Sequence, residues 1–322
     1  MSPPSASYAT ISRVRLADRF QDMATRAWQG TTYGSQRMHR WLILLLRVID
    51  IRIIYAFAYV FVVPPCLLFA TSKPIYHYFR RQWHYGVFKA FLKTYQNHCL
   101  FSQIVIDRFA MYAGHRFPIQ IEGLEHFQQL ESRPEAFVLL SSHIGNYELA
   151  GYSLTSTRKR IHALVFVGEK QSVMEHRQQM FTPTNVCMIP VEQEGKNGEG
   201  ESWNHLFLID QALQQGDIVS MPADRMLGSQ KTITMRLLGS DVRLPIGTFS
   251  VAAMRSLDVL AIHVMKSSAT KYTLYVKPLK YDKQAPRRQQ TQQLAKAYTA
   301  ELERMLTLYP TQWYNYYDFF EL

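Results

Sequence analysis

The sequence predicts an α/β fold: a largely parallel sheet flanked by helices, preceded by a helical N-terminal module suited to a membrane surface. Three observations carry that expectation. From Phe117 onward, short apolar and β-branched runs alternate with helix-length stretches, as crossover units require. One of those runs, Phe137–Leu140, ends abruptly at a serine pair, a histidine and a Gly145-Asn146 break, so a functional turn is expected at a strand end. Ahead of them lies Ile53–Ala70, eighteen residues without a charge. The expected division is residues 1–114 for the basic segment and helical module, and 115–322 for the α/β domain.

Residues 1–40 are polar and rich in arginine (Arg13, Arg15, Arg19, Arg26, Arg37, Arg40), which is too polar and too long for the leading part of a cleaved signal. As one helix, Ile53–Ala70 would reach ~27 Å, barely a bilayer core. Pro64-Pro65 would kink it. A marginal spanning helix, helices lying in the membrane interface, and a buried helical cap are all compatible with it. Basic residues flank it on both sides, so charge does not orient it. Residues 74–113 read as helix throughout, with Tyr76, Phe79, Trp83 and Phe88 at helical spacing. Strands are expected over Phe117–Glu122, Ile161–Val167, Val186–Val191, Asp217–Met221, Lys231–Leu237, Val259–Met265 and Tyr272–Val276. Helices are expected over Leu124–Leu130, Val173–Phe181, Asn204–Gln215 and Gln290–Leu308.

The central stretch is FVLLSSHIGNYELAG, Phe137 to Gly151. It places His143 in the turn and Glu148 in the first turn of the next helix, near enough to reach back to the imidazole. A neutral imidazole removes a proton from a hydroxyl or amine while a carboxylate on its other nitrogen fixes the tautomer. A hydrogen-bonded turn histidine and a glutamate complementing a helix dipole would give the same spacing.

A second chemistry-bearing block, Pro222–Gly228, also follows a strand. Arg225 could donate to an oxyanion or clamp a phosphate, with Asp224 steadying the guanidinium. Lys231, Arg236, Arg243, Lys170 and Arg177 could form a cationic rim. His263 sits on an apolar strand, as a hydrogen-bonded core histidine would. The three cysteines (Cys66, Cys99, Cys187) make neither a metal motif nor a disulfide framework. No metal site, no cofactor loop and no G-x-S-x-G elbow of a serine esterase occurs.

A formal charge of +11 calls for an acidic partner: nucleic acid, anionic lipid or an acidic protein. Nucleic acid fits worst, since zinc-ligand spacing and a helix-turn-helix pattern are both absent.

The block SSHIGNYELAG, with IEGLEHFQQL before it and MPADRMLGSQKTITMRLLGSDVRLPIGTFSVAAM after it, resembles the lipid A biosynthesis acyltransferases of the lysophospholipid acyltransferase superfamily. The similarity runs over about residues 118–318, with Tyr147 where the family usually has tryptophan. It implies a lysophospholipid acyltransferase-like sheet and a His-x4-Glu pair, His143 with Glu148. It also implies active-site roles for Arg225 and Gly228, with Pro245 and Gly247 in a substrate-binding turn. The implied reaction moves a fatty acyl group from an acyl carrier protein or CoA thioester to a lipid acceptor, by default a lipid A precursor. The implied location is the inner membrane, facing the cytoplasm. The ending QWYNYYDFF departs from the family's basic ending, so an amino-acid lipid or another lipid-like metabolite stays open as acceptor. A non-catalytic membrane-binding protein would leave the His-Glu and Asp-Arg blocks without a use.

Overall fold

A computed structural model describes residues 36–68, 72–166, 185–191, 204–225 and 231–320. Its centre is a seven-stranded sheet in the order β1-β9-β8-β2-β5-β3-β4. The strands are β1 (Ile119–Glu122), β2 (Phe137–Ser141), β3 (Ile161–Phe166), β4 (Val186–Val191), β5 (Ile218–Pro222), β8 (Asp258–Ser268) and β9 (Lys271–Pro278). Five run in one direction: β2 pairs in parallel with β5 and β8, and β3 with β5 and β4. β9 runs against β8 because only two residues join them, and β1 pairs in parallel with β9.

The sheet is covered on both faces, and β2 shows why its sequence is apolar throughout. Val138 and Leu140 face a core completed by α9 (Ile246–Met254) and α10 (Arg287–Leu308). Phe137 and Leu139 face the other core, with Phe127 and Leu130 of α6 (Leu124–Glu131) and Leu149. A strand buried on both faces has no polar alternation to show.

The N-terminal helices are α1 (Gln36–Leu46), α2 (Ile51–Phe57), α3 (Val63–Cys66), α4 (Lys73–Arg81) and α5 (Val87–Tyr112); a π-helical turn, Ala58–Val62, joins α2 to α3. α5 is the hinge of the architecture. Ile104 and Met111 pack into the sheet core, while Ile106, Phe109 and Ala110 pack against Leu46, Ile51 and Tyr55. Among the described residues no helix is long and apolar enough to cross a membrane. Within the apolar run, α2, the π-helical turn and α3 follow one another directly, with α3 carrying Pro64-Pro65 near its start.

The structure corrects several expected boundaries. Residues 74–113 are two helices, not one, because the chain turns at Gln82–Gly86, with His84 at φ 51°. Tyr85 folds back there to stack on Phe79 at 6.1 Å. After His143 the chain makes a 3-10 turn, Tyr147–Leu149, before the short helix α7 (Ala150–Ser153). An unexpected strand, β7 (Ser240–Pro245), pairs with β6 (Thr232–Leu237) as a separate hairpin. Its turn residues Leu238 and Gly239 both take positive φ, which suits a two-residue hairpin turn. α8 (Asn204–Gln214) lies where a helix was expected. The expected helix Val173–Phe181 lies outside the described residues.

Candidate active site

Strands β2 and β5 run in register as far as Ser141 and Pro222, so the turns that follow emerge side by side at the sheet's carboxyl edge. That edge is where parallel sheets carry their ligands. The Ala223 N–H donates to the Ser141 carbonyl at 3.0 Å, and the Tyr298 hydroxyl donates to the same oxygen at 3.0 Å.

The turn after β2 requires its glycine. Gly145 has φ 58°, and a Cβ there would lie 2.0 Å from the Val264 carbonyl oxygen. This close approach lets the Gly145 N–H donate to the Gln312 carbonyl at 2.8 Å and the Asn146 N–H to the Val264 carbonyl at 2.7 Å. Ile144 bridges to Trp313 of the C-terminal segment.

With the turn so fixed, His143 meets Asp224. One carboxylate oxygen accepts from the His143 backbone N–H at 2.7 Å, and the other lies 2.8 Å from Nδ1. Burial would raise the Asp224 carboxyl, but the His143 ring, its backbone N–H and the Arg225 charge outweigh it, so the group stays below its ordinary value. An ionised carboxylate only accepts, so Nδ1 carries the hydrogen and Nε2 keeps its lone pair. Among the described residues no hydrogen bond reaches Nε2, and the side chain retains 13% exposure. Burial lowers the imidazole's proton affinity, and the Arg225 guanidinium adds to this against the opposing Asp224. The ring is therefore a neutral base at pH 7 that keeps the Nε2 lone pair for a proton. Tyr147 stands edge-on to it at 5.1 Å.

This geometry corrects the expected partnership. Asp224 occupies the position at Nδ1 expected for Glu148, while Glu148 Oε1 lies 2.8 Å from Arg108 of α5. The reason is backbone direction. The 3-10 turn Tyr147–Leu149 holds Glu148 against α5, and Asp224 arrives on the neighbouring strand end.

Arg225 is held by the C-terminal segment as well as by the charge of the neighbouring Asp224. Its Nε donates to Asn315 Oδ1 at 3.1 Å, and a terminal nitrogen donates to the Tyr314 carbonyl at 3.0 Å. Asn97 of α5 anchors that segment by donating to the Thr311 and Trp313 carbonyls at 3.0 and 2.8 Å. His263 behaves as a core histidine: its Nδ1 lies 2.9 Å from Ser142 Oγ, and burial pushes it down to about 4.

The remaining expected site residues distribute unevenly. Lys231 is exposed, and its carbonyl accepts from the Ile246 N–H at 3.2 Å. Pro245 is buried at the end of β7 and caps α9. Gly247 lies in the first turn of α9, where a Cβ would meet nothing within 4 Å, so no close approach demands glycine. Lys170 and Gly228 lie outside the described residues. Sequence reasoning offered the aromatics of Trp313–Phe320 as a shelter for the acyl chain but did not assign Gln312 and Asn315 to the site. Their only signal is a polar pair set in an aromatic ending. Among the described residues no group of three or more metal-ligating side chains is gathered.

The comparisons with known proteins give the class of protein, and the family model carries it. The family model described as bacterial lipid A biosynthesis acyltransferase matches residues 106–316, and the chain belongs to that family. It is an acyltransferase. A solved structure, the 1-acyl-sn-glycerophosphate (LPA) acyltransferase PlsC from Thermotoga maritima, is similar at 12% identity with a TM-score of 0.37, over 85% of this chain and 99% of that one. No curated protein sequence matches.

Proposed function

We propose that this enzyme transfers a fatty acyl group from a carrier-protein or CoA thioester to a hydroxyl or amine of a lipid acceptor, by default a lipid A precursor. The observation that carries the mechanism is the His143–Asp224 contact, which leaves Nε2 open on a neutral ring. His143 takes the acceptor's proton on Nε2 as the acceptor oxygen or nitrogen attacks the thioester carbonyl. Asp224 fixes the tautomer and stabilises the imidazolium. The tetrahedral oxyanion is met by Arg225. The C–S bond then breaks, and the imidazolium returns its proton to the departing thiolate. Glu148 supports the turn through Arg108 rather than touching the base.

The N-terminal helices supply the approach to lipid. Most exposed large apolar side chains among the described residues lie there, including Trp41, Val48, Phe57, Phe61 and Phe88. Exposed basic residues such as Arg40, Arg47, Arg52 and Arg80 lie among them. Such a surface suits helices lying in the headgroup layer of an anionic membrane. We place the enzyme at the inner membrane with its site toward the cytoplasm. An amino-acid lipid or similar metabolite is the alternative acceptor.

The test is an assay of purified enzyme with carrier-protein and CoA thioesters against lipid A precursor, lysophospholipid and amino-acid lipid acceptors. Product mass separates transfer from hydrolysis. Free fatty acid as the sole product would overturn the proposal.

A further inference from the structure

Adjacent residues of α5, Asp107 and Arg108, reach opposite ends of the catalytic turn. Asp107 is fully buried and pairs with Lys266 Nζ. It also accepts hydrogen bonds from the hydroxyls of Tyr55 on α2 and Tyr272 on β9. Lys266 Nζ lies 3.3 Å from each of those hydroxyls. The cluster underlies the turn: Asn146 Nδ2 donates to Tyr272 Oη at 3.4 Å. The Lys266 backbone exchanges two bonds, 2.9 and 2.8 Å, with the Gln312 side-chain amide, and the Gln312 backbone carbonyl receives the Gly145 N–H. Arg108 holds Glu148. Residues on both sides of Tyr147 are thus tied to one turn of α5.

A buried ion pair adds little net stability over well-packed apolar side chains. Its worth lies in the single arrangement it enforces, and here it sits under Gly145 and Asn146, two and three residues beyond the base. We infer that Asp107 is a positioning residue for the transfer reaction: through Tyr272 and Lys266 it holds the turn that presents His143. Tyr55 ties the lipid-facing helix α2 into the same cluster. The inference rests on the assignment of His143 as base made above.

The test compares kcat and KM per folded molecule for transfer from a long-chain acyl-CoA to lipid A precursor. Two variants are used. Tyr272→Phe removes only the hydroxyl between Asp107 and Asn146. Asp107→Asn with Lys266→Met removes both charges, so neither is left buried alone. We expect kcat to fall on the order of tenfold in each, the scale of a small misplacement of a reacting group, with KM for both substrates little changed. A merely structural role would lower the folded fraction and leave kcat per folded molecule at the wild-type value, and that result in either variant would overturn the inference. His143→Ala runs alongside. If it keeps full rate, the site assignment itself fails, separably, because that variant leaves the Asp107 cluster intact.

Discussion

His143 leans on Asp224, 81 residues further along the chain, through two contacts at once: the backbone N–H at 2.7 Å and Nδ1 at 2.8 Å. The carboxylate thereby sets both where the turn sits and which ring nitrogen is protonated. Glu148, five residues from the histidine, binds Arg108 instead.

Replacing His143 by alanine removes the proton acceptor and should lower turnover about 10²–10⁴-fold without unfolding the protein. Steady-state rates beside a thermal melt check both halves of that statement.

Asp224→Asn and Glu148→Gln separate the two carboxylates. An asparagine at 224 can donate to Nδ1 and stabilise the wrong tautomer, so turnover should fall by about 10²–10⁴-fold. The Glu148→Gln enzyme should keep far more of its rate. If Glu148→Gln proves the more damaging, Asp224 is not the orienting group.

Arg225→Ala should cost on the order of 10²–10³ in kcat with little change in KM, as the loss of an oxyanion donor does. Arg225→Lys keeps the charge but not the fork that meets Asn315 and the Tyr314 carbonyl. A second readout is pH. The base must be neutral, so activity is lost as pH falls through the His143 pKa, which lies below the ordinary histidine value. Arg225 helps to depress it, so Arg225→Ala should move the acid limb of kcat/KM to higher pH. A change in KM alone would assign Arg225 to acceptor binding.

His263 predicts an acid-sensitive fold. Its folded value is about 4, below the ordinary ~6.5 of an unfolded chain. The unfolded state therefore binds the proton first. Stability is complete above about pH 6.5 and falls toward pH 4, by about 3 kcal/mol in all. A His263→Gln protein should show a flatter melting temperature across that window.

Membrane association should depend on the exposed face of the N-terminal helices. Deleting residues 1–72 is a blunt test, because it also strips Tyr55 from Asp107 and uncovers Ile106 and Phe109. Val60→Glu with Phe61→Glu leaves that packing alone and should release the enzyme from anionic vesicles in flotation. High salt should weaken the wild-type association, since exposed charges are screened. Retention of the double variant on vesicles would exclude this face as the attachment.

The alternation of apolar runs and helical stretches determined the α/β class, and the break after Leu140 determined that His143 would stand at a strand end. Both are local consequences of burial and backbone conformation, so periodicity and Gly145 sufficed. Periodicity did not reveal β7, because the hairpin turn at Leu238 and Gly239 lies inside a continuous polar and apolar mixture. Nor did it reveal the turn at His84, which depends on Tyr85 finding Phe79. The partners of the base and of Arg225 were decided by tertiary structure alone. Spacing favoured Glu148 because it is near in sequence, but contact across a sheet depends on which strands are neighbours. The β2–β5 register brings Asp224 to His143, and α5 draws Glu148 away and anchors the segment that carries Asn315. Those pairings join residues 81 and 90 positions apart, and no local pattern encodes them.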